Sequence, residues 1–128
     1  MSNNPNSVTV AGNLTKDPEL RFLPSGQATG SFSLAVTRSW QNHASREWEE
    51  ETSYFDVVCW GDLAQNVAAS ASRGSRCVVT GRLGQRSWDN AEGQKRSKVE
   101  ITADDVALSL RFATGRMTKT TRAAAAAS

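Results

Sequence analysis

The run Tyr54-Phe55-Asp56-Val57-Val58-Cys59-Trp60 constrains this chain most. It is rich in β-branched and aromatic residues and stops at Gly61, which predicts a strand. Successive side chains of a strand point to opposite faces. Phe55, Val57 and Cys59 therefore share an apolar face that belongs in a core. Tyr54, Asp56, Val58 and Trp60 share the other, mixed face. A tyrosine and a tryptophan there leave more aromatic surface wet than a folded protein exposes without a reason. What covers them is the functional question.

The flanking sequence supplies further strands. Val8-Thr9-Val10-Ala11-Gly12 alternates and reads as a first strand. Asn13 to Pro24 reads as loop or irregular strand, punctuated by Asp17-Pro18 and Pro24-Ser25-Gly26. Phe32 to Trp40 reads as the next strand, with Phe32, Leu34 and Val36 inward. Strict alternation would put Trp40 inward too, so a bulge or strong coiling is expected to re-aim it. The polar stretch 41–51 reads as a hairpin loop leading into the opening strand. A helix is expected next. Asp62 and Gln65 fit a capping box, Leu63, Val67 and Ala71 form a stripe, and Arg73-Gly74 fit a stop.

Beyond the helix, Cys77, Val79 and Leu83 fall on one parity of a strand, and Arg76, Arg82, Arg86 and Trp88 on the other. Asp89 to Gly93 is a turn. The return strand carries Val99 and Ile101 on one parity and Arg96 and Lys98 on the other. Val106, Ala107, Leu108 and Leu110 are expected to close the core. Three strands, one helix and two strands make an all-β fold. The order is that of a five-stranded OB-fold Greek-key barrel, with one short helix between strands 3 and 4.

Bulk properties exclude several classes. The chain has 128 residues, 38% hydrophobic content and a net charge of +2, which suits one globular domain with tails. Residues 1–6 are expected to be a disordered arm, 7–110 the folded domain, and 111–128 a low-complexity, disordered tail. The polar start lacks the apolar core of a signal peptide, and no apolar run suits a membrane span, so a cytoplasmic protein with no membrane association is expected. Cys59 and Cys77 have no metal-ligand spacing and read as buried thiols, with a disulfide as the alternative. No catalytic triad, metal cluster or phosphate loop is visible, so neither an enzyme nor a cofactor is expected. Asp104-Asp105 alone does not make a two-metal site, and His43 reads as solvated.

The outward parities, taken together, interleave aromatics with cations. Tyr54 and Trp60 stand on the central strand, Trp88 with Arg82 and Arg86, and Arg96 and Lys98 on the hairpin partner. Aromatic faces stack on nucleobases of any identity while cations follow the phosphates, a chemistry that suits single strands. A face of this kind that binds protein instead is the alternative. Trp48 shares the parity of Tyr54 but lies among Glu47, Glu49, Glu50 and Glu51, and reads as a loop anchor.

Several stretches resemble the bacterial single-stranded DNA-binding proteins. They are Gly12-Asn13-Leu14-Thr15-Lys16-Asp17-Pro18-Glu19-Leu20-Arg21, Phe32-Ser33-Leu34-Ala35 leading to Trp40, Glu50-Glu51-Thr52-Ser53-Tyr54-Phe55, Trp60-Gly61-Asp62-Leu63-Ala64, Arg73-Gly74-Ser75, and Gly81-Arg82-Leu83 to Arg86-Ser87-Trp88-Asp89. The resemblance spans roughly residues 6–110. It implies a homotetramer of OB-folds that wraps single-stranded DNA and protects it during replication, recombination and repair in the nucleoid. It implies base stacking at Trp40, Tyr54, Trp60 and Trp88, and phosphate contacts at Arg21, Arg86 and Arg96. Arg38, Arg82 and Lys98 are further candidates, since positions often basic in the family are Asp56, Asp62, Gly84 and Ser87 here. The family usually carries a tail with an acidic tip that recruits repair and replication proteins. No acid follows Asp105 in this sequence, so a short or tail-truncated member without that recruitment is expected.

Overall fold

The computed structural model describes residues 4–120. The alanine-rich end, Ala123 to Ala127, and residues 1–3 of the polar arm lie outside the described residues. The elements are β1 (Val8–Leu14), β2 (Glu19–Phe22), β3 (Ala28–Gln41), β4 (Trp48–Trp60), α1 (Gly61–Ser70), β5 (Arg76–Asp89) and β6 (Lys95–Leu108). Five of these strands close a barrel in the order β1-β5-β6-β4-β3. Closure is made where β3 returns to β1, at Asn13↔Ala35 and Leu14↔Leu34. The short β2 is added outside on β3. Every pairing is antiparallel except β4 with β6, which run parallel at Val57↔Ile101 and Val58↔Thr102. This is the OB-fold expected from the sequence. The helix follows the third barrel strand, and it lies between the fourth and fifth strands when β2 is counted.

The core follows the parity of the opening strand. Val57 and Cys59 are fully buried, with Leu34, Cys77, Val79 and Ile101 around them, and Phe55 packs against this cluster. Ala64 and Val67 bring α1 onto the barrel. Fully burying an aliphatic side chain of this size is worth about 1.5–3 kcal/mol, so the interior of the barrel is where the fold is decided. Both thiols are free, and burial pushes Cys59 up to about 11. Gly81 permits a close approach of β5 to β6 in the wall. A Cβ there would sit 2.0 Å from the Thr102 carbonyl oxygen, and the β5–β6 register shifts at this point.

Five local expectations are corrected. The hairpin between β3 and β4 is an extended two-stranded arm, paired without a break from Thr29↔Trp60 to Gln41↔Trp48. Its loop is only residues 42–47, where the Asn42 side chain accepts bonds from the Ala44 and Ser45 amides. No bulge re-aims Trp40, which keeps the parity of Phe32, Leu34 and Val36 and is exposed because the arm outruns the barrel. Asp62 is not an N-cap. The chain turns directly from strand into helix at Gly61, whose φ of 66° is open to glycine, so Trp60 takes the cap position and contributes no side-chain bond. Asp62 lies instead in the first turn, where the helix dipole favours an acid. The helix ends at Ser70 with Ala71 as its cap, before Arg73 and Gly74; Gly74 serves the turn toward β5, its amide bonded to the Leu14 carbonyl. Finally, of the residues expected to close the core, Val106 packs against it, Ala107, Leu108 and Leu110 are exposed, and Ala103, two residues beyond Ile101 on the same inner parity, is buried with it.

Candidate nucleic-acid interface

The outer face of the barrel is built from the non-core parity of β2, β3, β4, β6 and β5, in that order across the sheet. Register fixes the rows. Arg21, Thr29 and Trp60 form one, and Ala35 faces Tyr54 in another. On the far side Arg86 faces Lys98 and Trp88 faces Arg96. Between these walls runs a groove of about 500 Å3, lined among others by Arg21, Trp60, Asp56, Arg86, Lys98 and Glu100.

The aromatic residues singled out in the sequence are all accessible. Tyr54 is 68% exposed, Trp60 43%, Trp88 42% and Trp40 36%. The structure does not bring all four to one face. Trp40 pairs with Glu49 and so stands on the opposite side of the arm from Tyr54. There the Arg38 guanidinium lies 4.9 Å from the centre of its ring. Trp48 is on the Tyr54 side and is 71% exposed, so it anchors no loop. Its parity with Tyr54 was the signal, but only the strand's early start at Trp48 makes that parity binding. Trp48, Tyr54 and Trp60 therefore recur every six residues on one face of β4, about 20 Å apart at the usual strand rise.

The candidate cations differ in how free they are. Arg38 pairs with Glu51 at 3.4 Å, Arg82 with Asp104 at 3.3 Å, and Arg86 with Glu100 at 3.8 Å. The Arg86 guanidinium also lies over the Trp88 ring, 5.3 Å from its centre, within the range of a cation–π contact. Arg96 donates to the Gln94 side chain. Among the described residues Arg21 and Arg96 make no ion pair. Lys98 is the most engaged, 2.9 Å from Asp56 and 3.8 Å from Glu100. Ser33 donates to the other oxygen of Asp56. Those two hydrogen bonds, from Ser33 and Lys98, hold the Asp56 carboxyl below the usual carboxylate range, with the charges of Lys98 and Arg86 adding to them. Asp104 is taken by Arg82, Asp105 by the Val106 amide, and no group of three or more potential metal ligands occurs among the described residues. Among the same residues, no helix is long and apolar enough to cross a membrane.

Residues 5–109 match the single-strand binding protein family. The chain belongs to that family. It is 47% identical over 117 residues to the single-stranded DNA-binding protein of Mycolicibacterium smegmatis, covering 91% of this chain and 71% of that one. It is 43% identical to the protein of the same name from Mycobacterium tuberculosis, with 91% and 71% covered. The corresponding protein of Corynebacterium glutamicum is 46% identical, with 91% of this chain and 52% of that one covered. The matched region runs from the arm before β1 to just past β6, so family membership covers the whole barrel, including both hairpins that carry the aromatics.

Proposed function

We propose that this protein binds single-stranded DNA with little sequence preference, holding it by base stacking and phosphate contacts rather than acting on it chemically. The observation that carries this reading is the coincidence, on a member of this family, of exposed aromatic rings with the cation-lined groove on one barrel face. Bases stack on Tyr54, Trp60 and Trp88, each contact worth about 1–3 kcal/mol. Trp48 continues the Tyr54–Trp60 line onto the arm, and Trp40 serves a strand that has rounded the arm's edge. Arg21, Arg86 and Lys98 meet phosphates along the groove, Arg82 and Arg96 beside it on the β5–β6 hairpin, and Arg38 accompanies Trp40 on the other side of the arm. Duplex DNA keeps its base faces stacked inside, so it cannot use the rings.

The same reading makes the protein a homotetramer in the bacterial cytoplasm that covers single strands exposed in replication, recombination and repair. Leu83, Val99 and Leu108, exposed on the inner parity where β5 and β6 leave the barrel, support burial against further copies. Sedimentation should then give a mass four times the chain's 13.8 kDa, and a monomer at working concentration would remove the tetramer from the reading. Tryptophan fluorescence should be quenched by oligo-dT and changed little by duplex of equal length. Equal quenching by duplex at physiological salt would overturn stacking. A response indifferent to salt would favour a face that binds protein.

A further inference from the structure

One carboxylate stands in the middle of the outer face, and it is held from both sides. Asp56 lies on β4 between Tyr54 and Trp60. Ser33 on β3 donates to one of its oxygens, and the Lys98 ammonium on β6 donates to the other at 2.9 Å. Its side chain is 44% exposed and lines the groove beside Trp60, so a ligand in the groove meets it.

We propose that Asp56 is a built-in competitor of phosphate for Lys98, which lowers the affinity of this face for single-stranded DNA and the sensitivity of that affinity to salt. This inference rests on single-stranded DNA being the ligand of the face. A strand that stacks on both Tyr54 and Trp60 must carry its phosphates past Asp56. The ammonium of Lys98 is a point charge that serves a phosphate or a carboxylate equally well. To hold a phosphate it must loosen its bond to Asp56, and it then leaves a carboxylate next to a phosphate.

The other pairs on this surface are different. Arg38–Glu51 and Arg82–Asp104 join side chains that are each more than half exposed, so both partners can swing apart into water. Asp56 is short and tethered by Ser33, and it cannot leave. Glu100 is farther from Lys98, at 3.8 Å, and is shared with Arg86. The carboxylate of Asp56 thus does to Lys98 what a counter-ion does in solution, except that binding DNA does not release it into the bulk. One phosphate contact is thereby removed from the salt dependence.

The test is an oligo-dT titration across a range of salt concentrations with the full chain, Asp56→Asn, Lys98→Met and the double variant. Asparagine keeps a partner for Ser33, and thermal unfolding checks that each variant is folded. Asp56→Asn should bind about five- to tenfold more tightly at low salt, the scale of one unit charge about 4 Å away in a water-like dielectric. Its slope of log affinity against log salt should steepen by about 0.7, one more phosphate contacted. In the Lys98→Met background the same change should bring no steepening. An unchanged affinity and slope in Asp56→Asn, or steepening that persists without Lys98, would overturn the competitor role while leaving single-stranded DNA binding intact. Failure of the unaltered chain to bind oligo-dT would overturn both.

Discussion

The two halves of β4 follow one alternation and meet opposite fates. From Phe55 to Trp60 the strand is barrel wall, where Val57 and Cys59 are sealed, Phe55 is partly covered at the edge of the core, and the outer parity meets solvent. From Trp48 to Ser53 the same strand is one side of a free-standing arm, and every residue is exposed. Alternation sorts side chains between two faces. It buries one of those faces only where other elements stand behind it. In the wall, α1, β1 and β5 stand behind β4 and β3; behind the arm the described residues place nothing. The wall is therefore the region of stability, and the arm and groove are the region free to bind.

The largest test of that contrast is thermodynamic. Leu34→Ala in the wall should cost about 2–5 kcal/mol in urea unfolding, the range for a buried leucine. Trp48→Ala in the arm should change it by no more than about 0.5 kcal/mol. Equal losses would mean that the arm is covered in the isolated protein. Gly81→Ala should cost about 1–3 kcal/mol because its new Cβ meets the Thr102 carbonyl. Gly84→Ala, three residues nearer the exposed hairpin, has only the Thr102 hydroxyl at 3.8 Å and should cost far less.

Function should sort the other way. Trp88→Ala should weaken oligo-dT binding by about 1–3 kcal/mol with unfolding unchanged. A folded Trp88→Ala protein that binds as before would remove Trp88 from the interface. The smallest expected effect is on pH. Asp56 has its folded pKa below its ordinary 3.8, so it stabilises the fold above its unfolded value of about 3.9 and loses that contribution as pH falls through the lower folded value. The stability difference between the unaltered chain and Asp56→Asn should be flat from neutral pH down to about 5 and narrow below about 4. A difference that changes between pH 5 and 8 would mean another group controls this pair.

Much of the wall was legible in the sequence because a core parity leaves a local trace. Phe55, Val57 and Cys59, or Cys77 and Val79, need no knowledge of the rest of the chain. Trp40 was not legible in the same way. Its parity was read correctly, but the end of the barrel lies in the pairing of β3 with β1 at Leu34 and Ala35, which no local pattern records. A bulge at Trp40 would solve a problem that the arm does not have. The capping box failed for a similar reason: Asp62 and Gln65 have the right spacing, but Gly61 starts the helix before them. The partner of Asp56 was out of reach altogether, because Lys98 is 42 residues away and meets it through the parallel β4–β6 pairing. Arg86 adds its field, but the bond belongs to Lys98.

The central claim is that the exposed aromatics and the cation-lined groove form one surface for single strands. The most direct measurement is tryptophan fluorescence during titration with oligo-dT at low and at physiological salt, with duplex of equal length as the control. Strong quenching by oligo-dT that weakens with added salt, and little change with duplex, is the expected result. Equal quenching by duplex, or oligo-dT binding that salt does not alter, would contradict it.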